Sequence, residues 1–264
     1  MTVIERATPT TGRRALPDLV TAVVVVAWVP VVLLLDSGAE LAQQRILGLG
    51  TWGLLLALLA FETTAVRAQA AVVVVFASLI EYTFSAGLGV YVYRLDNVPS
   101  FVPPGHGLVY LAALALGRSA ALRAHERVAV RATVVAGGLY ALWGLSPLAP
   151  RTDVLGAFWY LCLVGFLAFG RNRLLYVGAF LVVTYLELVG TALGTWTWQP
   201  YDPTGLIPMG NPPSGAAGGY GWFDLAAMAF APWVVARGGR FMPWAGTRRR
   251  RSAAGAARQA RPAP

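Results

Sequence analysis

The sequence predicts an all-α fold, a polytopic bundle of about eight transmembrane helices, and three observations carry that prediction. Apolar residues fill 57% of the 264 positions and charged residues only 12%, with a mean hydropathy of +0.60; a soluble domain needs far more polar surface over its core. The apolar residues gather into eight runs, most near the roughly 20 residues that a hydrocarbon core of about 30 Å demands. Arginine is distributed unevenly between the gaps, as it is when alternate loops stay in the cytoplasm.

In chain order, residues 1–18 are polar, carry Arg6, Arg13 and Arg14, and are expected in the cytoplasm. The first run, 19–35, has no small-residue cleavage site at its far end and reads as a retained helix, not a signal peptide. Runs 46–61 and 70–93 follow. Run 107–116 is the weakest, being short unless it continues through Arg118 towards Ala124; without it the count is seven. Runs 128–145, 154–170, 174–198 and 215–236 complete a membrane domain over 19–236. An Arg-rich tail, 237–264, is expected to be a disordered cytoplasmic anchor on anionic lipid headgroups.

All 21 basic residues are arginine, giving a net charge of +9. With eight spans, eighteen arginines fall on the face that holds both termini, and only Arg45, Arg94 and Arg151 on the other. That asymmetry predicts a multi-pass protein of a bacterial-type plasma membrane with both termini cytoplasmic. The same anchor accounts for the basic charge without nucleic acid. The lone Cys162 leaves no disulfide or Cys-based metal site within one chain. There is no Walker-type loop, dinucleotide fingerprint, metalloprotease motif or His cluster, which disfavours nucleotide and metal chemistry. The oligomeric state is left open.

One stretch recurs. Glu81 opens EYTFSAGLGVYVYRLDNVPSFVPPGHG and Glu187 opens ELVGTALGTWTWQPYDPTGLIPMGNPP. Each copy has an acid within an apolar run, then Leu-Gly, then two aromatics one residue apart, then a loop ending in Pro-x-Gly. Tyr91 and Tyr93 thus answer to Trp196 and Trp198, and Arg67 precedes Glu81 by the same 14 residues as Arg173 precedes Glu187. The offset of 106 residues is close to four helices, an even number. The halves, about 19–124 and 125–236, then share one orientation in a 4+4 parallel repeat.

An ionisable side chain within a span costs about 2.5 to 3.5 kcal/mol on insertion scales, so it needs a partner or a purpose. Glu81, Glu187 and Asp224 are the acids so placed. Each glutamate lies roughly 21 Å beyond a cytoplasmic Arg, and Asp224 roughly 14 Å in from the other side, so the three are expected to share one layer as acid and base candidates. Helical spacing puts Glu81, Ser85 and Gly89 on one face, and Glu187, Gly190, Thr191, Gly194 and Trp198 on the matching one. The glycines there read most simply as close-packing seams, and each Glu as either structural glue or a reactive group.

Tyr91, Tyr93, Trp196 and Trp198 stand where helices meet the outer interface, as a plain aromatic belt or as the wall of a pocket. Aromatic faces stabilise a cation, and a carboxylic acid kept protonated in a dry site can protonate an alkene. Loops 97–106 and 199–214 hold eight prolines, too many for helices, and are expected as ordered turns or lids. His106 aligns with Asn211 when Gly105 is matched to Gly210, making both candidate substrate contacts; a lone loop His is more often a hydrogen-bonder. Asp96 and Asp202 read as turn residues.

The segments Glu81 to Tyr93 and Glu187 to Trp198, about two dozen residues, resemble the signature stretch of the polytopic membrane carotenoid hydratases. The long Pro-rich loops are a departure from that pattern. The resemblance implies a hydratase of the lyase class, active in carotenoid biosynthesis, that adds water across a terminal double bond of a long isoprenoid. A protonated Glu would give the proton, the aromatics would hold the carbocation, and no cofactor or metal would be needed. Two other classes remain open: a small transporter or lipid flippase with acids at a repeat interface, and a non-catalytic membrane scaffold.

Overall fold

In the computed structural model the described residues, 17–241, form nine α-helices, one π-helical turn and a two-stranded ribbon. The segment before Pro17 and the Arg-rich tail beyond Phe241 lie outside the described residues. The helices are α1 (Asp18–Ser37), α2 (Leu41–Leu59), α3 (Thr64–Glu81), α4 (Val102–Arg118), α5 (Ala120–Ala124), α6 (Glu126–Leu145), α7 (Val154–Phe169), α8 (Arg173–Ala192) and α9 (Ala216–Phe241). The π-helical turn, Tyr82–Gly87, continues α3, and the strands are β1 (Tyr91–Tyr93) and β2 (Trp196–Trp198).

The fold is thus mostly helical, and the eight longer helices lie on the eight apolar runs. Four stretches are long and apolar enough to cross a membrane by length and composition: Asp18–Ser37, Thr64–Gly87, Glu126–Leu145 and Arg173–Ala192. Their outward faces are oily. Leu139 and Leu142 of α6 and Leu161 of α7 are all mainly exposed, as lipid-facing side chains would be.

The weakest run of the sequence is the centre of the bundle. Thirteen of the 17 residues of α4 are buried, among α1, α2, α3 and α8. Small residues let α8 close on it: a Cβ at Gly178 would strike the Ala113 carbonyl, and one at Gly117 would come within 2.9 Å of the Leu174 backbone. The reciprocal contact is α3 on α9, and α7 and α8 also pack on α9.

Three expectations need correction. The runs 70–93 and 174–198 are not helical to their ends: helix gives way after Gly87 and Ala192, and the aromatic pairs form an antiparallel ribbon. The cause is local. Gly89 (φ 63°) and Gly194 (φ 68°) take the left-handed conformation that reverses the chain, so neither they nor Trp198 continue a helical face. Secondly, Gly190 is no seam between helices, since its missing side chain makes room for the Trp196 indole of the same copy. Thirdly, the loop expected over 97–106 already becomes helix at Val102, with Pro103 and Pro104 in the first turn of α4, where a missing N–H costs nothing.

Candidate functional site

Helices α3 and α8 each deliver one carboxyl to the interior: Glu81 is 5% exposed and Glu187 4%. Beyond each, the left-handed glycine folds the chain back so that a short strand passes beneath its own acid. Side chains two apart on a strand share a face, so the aromatic-x-aromatic spacing presents two rings to one carboxyl. The strands then pair, Tyr91 with Trp198, Val92 with Thr197 and Tyr93 with Trp196.

The two carboxyls have different partners. Glu81 Oε2 accepts hydrogen bonds from the hydroxyls of Tyr91 (2.9 Å) and Tyr93 (2.8 Å), and its Oε1 meets His106 Nε2 at 2.8 Å. Glu187 Oε2 accepts from both indoles, Trp196 Nε1 at 3.0 Å and Trp198 Nε1 at 3.1 Å. Glu187 Oε1 makes no hydrogen bond among the described residues. The clusters touch through their rings, Tyr91 and Trp198 at 4.6 Å between centroids and Tyr93 and Trp196 at 6.1 Å. His106, in the first turns of α4, stacks on Tyr220 of α9 at 5.2 Å and meets Phe223 edge-on at 5.3 Å.

Glu81, Glu187, His106 and all four ribbon aromatics line one cavity of about 590 Å³, otherwise walled by apolar side chains such as Val25 and Trp28 of α1. That volume is typical of a small-molecule site. At the roughly 30 Å³ that a water takes up in the liquid, it holds about twenty heavy atoms. Asp202, in the 199–214 loop, stands at its rim, and its carboxylate accepts from the amides of Ile207 (2.8 Å) and Leu206 (3.0 Å) and from Thr204 Oγ1 (2.7 Å). These bonds, the Ile207 amide first, hold the Asp202 carboxyl below the usual aspartate range.

Two expected site residues lie elsewhere. Asp224 lines a separate, much smaller cavity, behind His106 and Phe223. Asn211 does not line the large cavity; its Oδ1 accepts the Trp198 backbone N–H at 3.0 Å and so fastens the far end of β2. Among the described residues no three of His, Cys, Asp and Glu gather as metal ligands would.

The sequence reading missed two supports. Buried Asp153, the N-cap of α7, accepts three backbone N–H groups, from Gly156 (2.9 Å) and Gly210 (2.8 Å) on Oδ1 and Ser214 (2.6 Å) on Oδ2. An Asp just before an apolar run signals the cap, but nothing signals the grip on the distant loop. The second support is Gln44, which donates to Asp36 Oδ1 at 2.9 Å and accepts from Asn97 at 2.7 Å, while Arg94 donates to the carbonyls of Asp36 and Ala39. It anchors the chain leaving β1. No protein-family model, curated protein or solved structure matches the chain.

Proposed function

We propose that this chain is a multi-pass membrane enzyme that adds water to a carbon–carbon double bond of a long isoprenoid, as the resemblance to carotenoid hydratases implies. The observation that carries the reading is the unlike pair of acids on one apolar cavity. Glu187 has one oxygen held by two indole N–H groups, which can only donate, and the other free of protein partners. A proton on that free Oε1 is directed at whatever fills the cavity. In the proposed step the alkene π pair takes this proton at the terminal carbon, forming the new C–H bond and a carbocation on the neighbouring carbon. The faces of Tyr91 and Trp198 stabilise that cation. Water then bonds to the cationic carbon and yields a proton to the Glu81–His106 pair; return of that proton to Glu187 closes the cycle with one water added.

Room for about twenty heavy atoms suits one end of a long polyene, the remainder extending through the opening. The second reading is a transporter, which the helix breaks at Gly89 and Gly194, one in each half beside an acid, would also suit.

The reading includes a 4+4 duplication, about eight spans, a plasma-membrane location with both termini cytoplasmic, and an Arg-rich tail on anionic lipid. Three features support the duplication. The ribbon is centred on the equivalent pair Val92 and Thr197, and a local two-fold there exchanges Tyr91 with Trp196 and Tyr93 with Trp198, as suits a parallel repeat with its axis along the membrane normal. The contacts of α4 with α8 and α3 with α9 are exchanged by the same operation. In the first turns of α4 and α9, Gly105-His106-Gly107 answers to Gly219-Tyr220-Gly221, which makes Tyr220, not Asn211, the counterpart of His106.

The test is mass spectrometry of apolar lipids and pigments from a lycopene-producing host with and without the protein, alongside Glu81→Gln and Glu187→Gln. A product heavier by one water that disappears in both variants supports the reading. An unchanged profile with folded protein present sinks carotenoid hydration in that host.

A further inference from the structure

The large cavity leaves two buried polar atoms behind it without partners: His106 Nδ1 and Asp224 Oδ2. Both side chains are about nineteen-twentieths buried, and both line the second cavity, enclosed by α3, α4, α8 and α9. Buried polar atoms are seldom left unpaired, so this pairing asks for an explanation. The cavity measures about 10 Å³, close to the room that one water needs.

The spacing suits the same occupant. Tyr220 and Asp224 are four residues apart on α9 and therefore share a face, one turn or about 5.4 Å along the axis. His106 stacks on Tyr220, and its ring lines the same small cavity as Asp224. The two unpaired atoms do not bond each other directly, and a water in the space between can bond to both. Tyr110, one turn beyond His106 on α4, lines the same space and offers a further hydroxyl.

We propose that one ordered water occupies this cavity, bonded to His106 Nδ1 and Asp224 Oδ2, and joins Glu81, His106 and Asp224 in a single buried chain. With the Nε2–H given to Glu81 Oε1, Nδ1 is left an acceptor and the water donates to it. Asp224 is in this way a positioning residue: it touches nothing in the large cavity but, through the water, supports from behind the ring that gives its Nε2–H to Glu81. The water site stands without the hydration reading; the positioning of a catalytic base rests on it.

The test uses the full chain in lipid nanodiscs, labelled with ¹⁵N-histidine, in a His125→Gln background so that only His106 reports. The wild-type ring should show the two widely separated ¹⁵N shifts of a single tautomer with hydrogen on Nε2. Asp224→Asn, which can still bond a water, should keep that pattern, and Asp224→Leu should move the shift of the unprotonated Nδ1, whose hydrogen bond is lost, while Nε2 stays protonated on Glu81. An Asp224→Leu spectrum equal to wild type in folded protein overturns the proposal. Should Asp224→Leu not fold, an experimental density map of the wild type that resolves ordered waters decides the matter, and a site empty of water overturns the proposal. Absence of any hydration by the wild type in the pigment assay, with the single tautomer intact, would count against the enzyme reading alone.

Discussion

Gly190→Ala is the smallest change that reaches both the ribbon and an acid. A Cβ built at Gly190 falls against three ring carbons of Trp196, all far inside contact distance. Carbon atoms settle at about 3.5 to 4.0 Å, so the indole must retreat by more than about 1 Å. The ring is buried, with Tyr93 edge-on to it, and its Nε1–H reaches Glu187 Oε2 at 3.0 Å. A retreat of that size takes the bond beyond hydrogen-bonding distance. Overpacking costs about 1 to 3 kcal/mol and the lost hydrogen bond about 1, offset by about 0.5 to 1 for removing a helical glycine. The net is about 1 to 3.5 kcal/mol, or a fall of roughly 2 to 14 °C in apparent Tm for a chain of this size. The measurement is thermal unfolding in detergent, with Gly165→Ala as control, because nothing lies within 4 Å of a Cβ there. The control should be unchanged or slightly more stable. A Gly190→Ala protein as stable as the control would show that Trp196 is not held where the ribbon places it.

Two further outcomes follow from the supports around the site. Asp153→Ala strips the acceptor from three backbone N–H groups and should destabilise the protein by roughly 3 to 5 kcal/mol, with Asp153→Asn milder; thermal unfolding of the purified variants checks both. Asp202 has a carboxyl pKa lowered in the fold, so its contribution is complete above the ordinary aspartate value of about 3.9 and is lost as pH falls through the lower folded value. Protection of the Leu206 and Ile207 amides, taken relative to the intrinsic exchange rate at each pH, should therefore persist from neutrality down past pH about 4 and fall below it. Rapid exchange already at pH 6 would contradict the Asp202 turn.

Glu81 and Glu187 were legible because an acid in an apolar run is conspicuous, and the recurrence tied each to its aromatics. The ribbon was not legible. Three residues of YVY or WTW at the end of an apolar run are too few to tell strand from helix, and the deciding fact is the left-handed backbone at Gly89 and Gly194. His106 stood out as a candidate contact, but its setting did not: two prolines in succession look like a loop, yet they are well suited to open a helix. Asp224 was placed by depth alone. Depth along a helix says nothing of rotation about it, and rotation turns Asp224 away from the large cavity. Asp153 and Gln44 act across 57 and 53 residues of chain respectively, contacts that local pattern does not encode.

A duplicated element with a two-fold at its centre would present two equal acids, and equal acids make a poor catalyst for a reaction that needs one group to give a proton and another to take one. On the proposed duplication, the divergence lies in the donors. Tyrosine hydroxyls can give or accept a hydrogen bond, and beside them His106 can exchange a proton; indole N–H groups can only give. Replacing Tyr-x-Tyr by Trp-x-Trp therefore leaves the backbone pairing intact while assigning Glu187 a fixed acceptor oxygen and a free one, and Glu81 a proton-exchanging partner. Under the hydration reading that substitution pattern separates acid from base. Converting Trp196 and Trp198 to tyrosine should make the two sites more alike and slow the reaction even where the fold survives.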